Sequence, residues 1–591
     1  MKIQGLRKGE QVKGGEIISR MLAAEGIRNV FGIIDGTYFG LYSTLGPNGI
    51  RLVTPRHETS ALHMAGAYAR ITGKLGVAIA SNGPGVANAL PGVAVEQAEG
   101  NRVLLITSSR RDSIIYPDRG GAYQYFPHVD VIRPMAKWSH AVTSPERVAE
   151  LLRKALRACM TGRPGVVHLD VPETILNGSF PAASAGMWAD PQADLPPLVP
   201  TRAQIEQAAT LLLKAKRPLI HAGSGVVHAG AFDELRDLAA LLDAPITTSW
   251  GARAALDERW PQAVPMLYVS AVNAARKEAD QVLVLGSRLG ETDWWGKAPY
   301  WAPPGEQGLI QVDIDSDAIG RNRPADLPIQ ADVKETLTAL IAELKTRRLT
   351  TGQRGRKEFV ATLRATCVAR RAKLDEHLKK QGIPMHPAHV ATICQQVLPE
   401  DSILVIDGGN TSIWAHFYHE GRTPGAILGT PKMGMLGAGV AQALGAKVAF
   451  PDRVVYCIIG DGAMGFHPQE VETAVRNGLP VITLVLCDKQ WGMVKMNQQF
   501  ALKPVKTLLM KSLSPEETIN ADLGEIEFDQ LGRSMGAYGE RVSDAGGLAN
   551  AVRRAVASGR PAVIHVDVDP VAHMWAPNLK DFKDMHQEPK V

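Results

Sequence analysis

Two aspartates, Asp461 and Asp488, each close an apolar run in "VVYCIIGDGAMGFHPQEVETAVRNGLPVITLVLCDKQWG". Such runs between turn residues read as buried strands, and the stretch between them reads as a helix that stops at Asn477-Gly478. In a parallel sheet one crossover of this kind brings both strand ends to the edge where ligands bind. Gly460 and Gly462 allow a tight turn and leave backbone N–H groups free at a helix start, which suits a phosphate-type anion. Two carboxylate oxygens, a backbone carbonyl and phosphate oxygens form the oxygen-only donor set of a hard, octahedral cation such as Mg²⁺. Gly-Asp-Gly alone is a common loop triplet. Its spacing to a second strand-end aspartate, with Gly492 shortly after, makes it a candidate site.

A third carboxylate stands far upstream. Glu58, in "TPRHETSALHMAGAYARITGKLGVAIASNGPGVANAL", follows the strand-like "IRLVTP" and opens a helix carrying Ala61, Ala65, Gly66 and Ala69. In isolation, a glutamate there is a charge that complements the helix dipole. A carboxyl held in a dry pocket is instead equipped to share a proton with a bound molecule. His57, His63 and His467 flank these motifs and read as structural.

The elements that position these groups belong to a long chain. At 591 residues it exceeds a single hydrophobic core and predicts three or four domains. Its 57 glycines and 38 prolines suit the many turns of an α/β protein. A net charge of +5 spread over this length provides no dense basic face, which argues against nucleic acid. The five cysteines contain no Cys-x-x-Cys pair, which disfavours a disulfide framework or a zinc site and fits a reducing compartment. "MKIQGLRKGEQVKGGEIISRMLAAEG" lacks the apolar core of a signal peptide, and no apolar run approaches the ~18 residues of a membrane span. A soluble, cytoplasmic protein is expected.

Short apolar strands alternate with helical patterns in three blocks, the signature of parallel βαβ units. The expected fold class is α/β, with three doubly wound parallel-sheet domains at 1–180, 201–345 and 386–570. A Pro-, Ala- and Asp-rich linker is expected at 181–200. Residues 346–385 read as a basic helical connector, either a solvated face or an anion-attracting rim. The tail, 571–591, has no clear periodicity and reads as an active-site flap. Similar lengths and rhythms in the first and third blocks suggest duplication of one unit.

The Glu58 segment, "SNGPGVAN" and the Gly-Asp-Gly/Asp488 pair together resemble the thiamine diphosphate (ThDP) enzyme superfamily, and the resemblance runs in order along nearly the whole chain. The similar branch holds acetolactate synthase, pyruvate oxidase and the 2-hydroxyacyl-CoA lyases. The resemblance implies a first block that binds the cofactor's pyrimidine, a central block, and a third block that binds its diphosphate. It implies that Glu58 is the catalytic carboxyl bonded to the aminopyrimidine, beside Gly83, Pro84 and Asn88. It further implies that Asp461, Asp488 and the Gln490 backbone oxygen hold Mg²⁺, while Gly409, Asn410, Gly462 and Ala463 reach the diphosphate. In "KMGMLGAGV", Gly434 matches a backbone contact and Leu436 the apolar wedge that bends the cofactor; Leu436 otherwise reads as ordinary core. Gln124, in "AYQYFPHVD" between Tyr123 and Tyr125, falls where acetolactate synthases aim a glutamine at the reacting centre. Because Glu58 and Asp461 lie in different blocks, the family pattern implies a site between subunits of a homodimer or homotetramer.

The chain departs from that pattern. Asp488 replaces an asparagine and adds negative charge beside the diphosphate, and Asn410-Thr411 replaces Gln-His. Asn497, in "GMVKMNQQF", stands where a tryptophan selects the second 2-oxo acid. "FGIIDGTYFGLY" replaces "FGxPG" and adds Asp35, Tyr38 and Tyr42 near the expected pocket mouth. The central "HAGSGVVHAG" and "GSRLGETDWWG" match nucleotide and flavin patterns only loosely, so FAD or ADP there is set against an empty structural domain, the more economical reading. The resemblance implies a transferase (carboligase) that decarboxylates a 2-oxo acid and passes the acyl group to a second carbonyl. The rivals are a 2-hydroxyacyl-CoA or oxalyl-CoA lyase or decarboxylase, an FAD-dependent 2-oxo acid oxidase, and an inactive ThDP-binding regulatory subunit. The departures point to a donor or acceptor other than the branched-chain biosynthetic one.

Overall fold

The computed structural model describes residues 10–181, 195–347 and 353–585. Most of the linker expected at 181–200, and the last six residues of the tail, lie outside them.

The first block opens on a short strand, β1 (Gln11–Lys13). It then lays down β2 (Asn29–Gly32), β3 (Arg51–Val53), β4 (Gly76–Ala80), β5 (Val103–Ser109), β6 (Trp138–Ala141) and β7 (Val166–Pro172). These six form one parallel sheet in the order β3-β2-β4-β5-β7-β6. A last strand, β8 (Ser179–Pro181), returns antiparallel to β1. The central block contributes β9 (Pro218–Ala222), β10 (Ile246–Thr248), β11 (Gln281–Leu285), β12 (Gly308–Asp313) and β13 (Leu327–Gln330), in the order β10-β9-β11-β12-β13. The third holds β14 (Ile403–Ile406), β15 (Ile427–Leu428), β16 (Val455–Gly460), β17 (Val481–Cys487), β18 (Tyr538–Val542) and β19 (Ala562–Asp567), ordered β15-β14-β16-β17-β19-β18.

All three large sheets are parallel and carry helices on both faces, so their inner strands are covered twice. That is why β16 and β17 are almost wholly apolar, Thr483 apart, and buried at every position. The first and third sheets have the same strand order, which gives their shared rhythm a topological meaning.

These two blocks are fused through a common core that runs from Phe31 and Ala78 through Ala65 to Leu444 and Val485. Its seam is the crossing of helix Glu58–Thr72 with helix Gly439–Ala449. A Cβ on Gly445 would lie 2.3 Å from the Met64 carbonyl oxygen, so only glycine permits this approach.

The basic connector is helical over Gln353–Asp375 but not wholly solvated. Phe359, Leu363 and Cys367 pack on the central block. The buried Arg356 guanidinium donates to the carbonyls of Leu212, Leu213, Ala215 and Leu242. Those carbonyls end two helices, where a cation is favoured. Among the described residues no helix is long and apolar enough to cross a membrane.

Candidate active site

The carboxyl ends of β14, β16 and β17 bring most of the third-block candidates together. Gly460 pairs with Leu486, so the ends of β16 and β17 abut. Asp461 opens a helix of only four residues, Asp461–Met464. The single helix expected from the sequence is broken around Gly465–Pro468 and resumes over Glu470–Asn477, because proline lacks an N–H and disfavours a helical residue before it. Gly478, at φ +61°, ends it.

Asp461 and Asp488 are 8% and 7% exposed. Asp461 Oδ1 accepts from the Gly462 N–H at 2.7 Å, and Oδ2 from the Lys489 N–H at 2.7 Å. Lys489 takes a left-handed conformation, φ +57°, to turn the chain there. Burial, and then the neighbouring Asp488 carboxylate, push the Asp461 carboxyl up to about 6. Two crowded buried carboxylates are what a divalent cation would relieve, and their all-oxygen character fits Mg²⁺.

Gln490 is buried and donates its side-chain amide to Asp488 Oδ2 at 3.0 Å and to the Pro570 carbonyl at 2.8 Å. A Cβ on Gly462 would meet the Trp491 ring at 2.6 Å, and one on Gly492 would meet Asn410 Nδ2 at 2.8 Å, which explains both glycines. Gly409 precedes helix Asn410–Tyr418. Asn410 donates to the Met574 carbonyl at 3.3 Å, while its Oδ1 and that of Asp407 are buried with no partner among the described residues. Such orphaned oxygens are costly and mark a place built for a further donor or cation. Ala463 is buried in the core, Gly434 turns at φ +62°, and Leu436 packs half-buried against the core shared by the two blocks. The helix after that loop is tied to the end of β14 by the Gly439 N–H, which donates to Asp407 Oδ2 at 2.7 Å. A cleft of about 420 Å³ opens beside Asp461, lined by Gly462, Phe466, Lys489, Trp491 and Phe528.

The first-block candidates form a second cluster. Glu58 is the first residue of its helix and 7% exposed. Asn88 Nδ2 donates to Glu58 Oε2 at 3.1 Å, and the Thr59 hydroxyl donates to the Asn88 carbonyl. Oε1 faces Gly85, where an added Cβ would stand 3.3 Å away. Pro84 starts the next helix, its usual place. Gly83 lies at φ +60° and ψ −109°, and a Cβ on it would strike the Gln124 carbonyl oxygen at 2.6 Å. Gln124, itself at φ +55°, accepts from Asn82 Nδ2 at 3.0 Å through that carbonyl.

Several supports escape a reading of the chain alone. His128 Nε2 accepts from the Gly83 N–H at 3.1 Å, and its Nδ1 bonds Asp170 Oδ1 at 3.2 Å. This fixes the ring's tautomer and the loop beside Gln124. In the third block His573 reaches Asp488. The signal for its helix, Asp569 as N-cap before Pro570, was present in the sequence. Tyr38, expected near the pocket mouth, is 2% exposed and donates its hydroxyl to the Ile33 carbonyl; Asp35 caps the turn through Thr37. The start of the tail is buried against the third block: His573 and Met574 are 3% and 0% exposed. His63 is buried against Glu96 at 2.7 Å, and His57 and His467 lie ring to ring at 5.0 Å where the blocks meet.

In the central block a cavity of about 990 Å³ opens at the carboxyl ends of β9, β11 and β12, lined by Ser224, Gly225, Ser287, Arg288, Asp313 and Asp315.

Comparison with known proteins agrees with this layout. Residues 12–131 match the N-terminal TPP binding domain of thiamine pyrophosphate enzymes, 205–340 their central domain, and 407–566 their C-terminal TPP binding domain. The chain is 28% identical over 580 residues to the probable acetolactate synthase large subunit of Methanocaldococcus jannaschii, covering 95% of this chain and 92% of that one. It is 27% identical over 582 residues to the acetolactate synthase isozyme 3 large subunit of Escherichia coli, covering 97% of each. Acetolactate synthase of Mycobacterium bovis is 29% identical over 576 residues, 96% of this chain and 90% of that one. Matches to all three family domains, in order, on three sheets whose carboxyl edges carry the polar clusters, place the chain among the thiamine pyrophosphate-dependent enzymes, in their acetolactate synthase branch.

Proposed function

We propose that the protein decarboxylates a 2-oxo acid and transfers the acyl group to a second carbonyl, with Mg²⁺ and ThDP held between the first and third blocks. The observation that carries this is the pair of buried polar clusters at matching sheet edges. One is centred on a lone carboxylate, Glu58, and the other on two, Asp461 and Asp488.

Asp461, Asp488 and the Gln490 carbonyl would hold the cation, and Gly409, Asn410, Gly462 and Ala463 the diphosphate. ThDP, when bound, supplies an electron-accepting centre that breaks or forms a bond next to a carbonyl. Glu58 serves the pyrimidine end. Asn88 fixes its Oε2, which leaves Oε1 to hold or move a proton across the space that Gly85 keeps open. Gly83, Pro84 and Asn88 form that wall of the pocket. Gly434 and Leu436 would support the cofactor from the third block, and Gln124 would orient substrate oxygens with its side-chain amide. The site lies between two copies of the chain; the exposure of Met433 and Phe466 beside Gly434 and Asp461 supports a partner there.

Incubation with ThDP, Mg²⁺ and a panel of 2-oxo acids tests this reading. Release of CO₂ with formation of a hydroxy-oxo product is expected. Turnover of acyl-CoA thioesters but of no 2-oxo acid would instead identify a lyase.

The central cavity favours a second ligand. Glycines and serines at the ends of β9 and β11, with Arg288 beside Asp313 and Asp315, suit a nucleotide such as FAD or ADP. Heat-released nucleotide from the purified protein is expected, and a protein free of it that also binds none when offered would return the domain to a purely structural role.

A further inference from the structure

Asp488 stands where the family uses a neutral amide, and its surroundings are built for a carboxylate. Its Oδ2 accepts from His573 Nδ1 at 2.6 Å and from Gln490 Nε2 at 3.0 Å. Among the described residues no hydrogen-bond donor reaches Oδ1. His573 is in turn held through its ring and its backbone. Its Nε2 meets the Thr411 hydroxyl at 3.0 Å, its backbone carbonyl accepts from Trp414 Nε1 at 2.8 Å, and its backbone N–H donates to the Asp569 carbonyl at 2.8 Å. Asp569 caps the short helix Pro570–Met574 through the N–H groups of Val571 and Ala572. His573 and Asp488 are 3% and 7% exposed, so the bond is made out of water, where hydrogen bonds to a charged acceptor are strong.

We propose that His573 is a positioning residue for the cation. It occupies Oδ2 of Asp488 and thereby presents Oδ1 to the metal, so that a carboxylate does the work of the amide. An asparagine has one oxygen, and its choice is made by chemistry. An aspartate has two, and a free carboxylate would rotate between them or take the cation through both, which Mg²⁺ geometry tolerates poorly. The Nδ1–H also draws charge from the oxygen that faces away from the cation, which offsets the added negative charge beside Asp461. Thr411, another departure from the family pattern, completes the relay, so the changes at 411 and 488 are explained together by one imidazole. This inference rests on the cation site proposed above.

The test measures cation binding by the full-length protein, with Mn²⁺ followed by electron paramagnetic resonance and with Mg²⁺ plus ThDP followed by calorimetry. Supporting groups behind metal ligands typically contribute about 10–100-fold in affinity. His573→Leu is therefore expected to weaken Mn²⁺ by about that factor. His573→Asn, which keeps a donor near the Nδ1 position, should recover most of the loss and guards against a folding failure. In the Asp488→Asn background His573→Leu should cost little, because an amide needs no such choice. Equal losses from His573→Leu in both backgrounds would reduce His573 to a packing role, and no loss in either would overturn the proposal. Asp461→Ala is the control: if it leaves Mn²⁺ affinity intact, the cation site itself is misplaced, a failure distinct from that of His573.

Discussion

The first and third blocks share one strand order, yet their carboxyl edges are chemically opposite. At the first edge only Glu58 turns a carboxylate oxygen toward open space, among glycine, alanine and asparagine, with its other oxygen fixed. The third crowds Asp407, Asp461 and Asp488 into its edge and supports them with backbone N–H groups and an imidazole. Even shared residue types are used differently. Burial pushes Asp170 upward, but the hydrogen bond from His128 outweighs it and holds the carboxyl below its usual range. Burial pushes Asp407 up to about 6, and the nearby backbone N–H groups, that of Gly439 first, only moderate this. The comparison teaches that one scaffold can carry different chemistry at its strand ends, a lone carboxylate facing open space at one edge and a crowded group of carboxylates at the other.

The largest effect should come from removing one function from each edge. Glu58→Gln and Asp461→Ala are each expected to lower turnover by about 10²–10⁴-fold, the range for a positioned acid–base group or an essential charge. Mixing the two inactive variants should restore roughly a quarter of wild-type turnover, because half of randomly formed dimers are hybrid and each hybrid holds one whole site. No recovery after verified subunit exchange would place both edges of a site in one chain.

A smaller effect tests the seam between the blocks. Gly445→Ala would drive a methyl into the Met64 carbonyl and should cost about 1–3 kcal/mol by chemical denaturation. An unchanged midpoint would mean that the helices can move apart freely.

An effect no larger than this lies in pH dependence, and it should have opposite sign at the two edges. Asp407 has a raised folded pKa, so its contribution is fully present below about pH 4 and lost as pH rises through about 6. Asp407→Asn should therefore be more stable than wild type near neutrality, by about 1–3 kcal/mol, with the gap closing in acid. Asp170 has a lowered folded pKa, so its stabilisation is present above the unfolded value and lost as pH falls. Asp170→Asn should be less stable near neutrality, with the gap shrinking in acid. Melting curves across pH check both.

The strand ends and their carboxylates were legible in the sequence, because strands covered on both faces must be apolar and the residues that end them must not be. The positions of Glu58, Asp461 and Asp488 follow from that contrast. What could not be read is tertiary pairing. His573 lies 85 residues after Asp488, in a tail with no periodicity, and only the folded crossover brings them together. The His128–Asp170 pair is hidden in the same way, since each residue alone looks like ordinary strand-end or loop polarity. The break around Gly465–Pro468 was visible in its residues but was overridden by the helical pattern around it.

The central claim is that Glu58 takes part in a proton transfer at the pyrimidine end of a cofactor anchored by the third block. Exchange of the cofactor's C2 proton for deuterium, followed by NMR on wild-type protein and on Glu58→Gln with calorimetrically verified ThDP binding, tests it most directly. The account predicts that the variant still binds ThDP but exchanges about 10²-fold more slowly or worse. Exchange at the wild-type rate in the bound variant would contradict it.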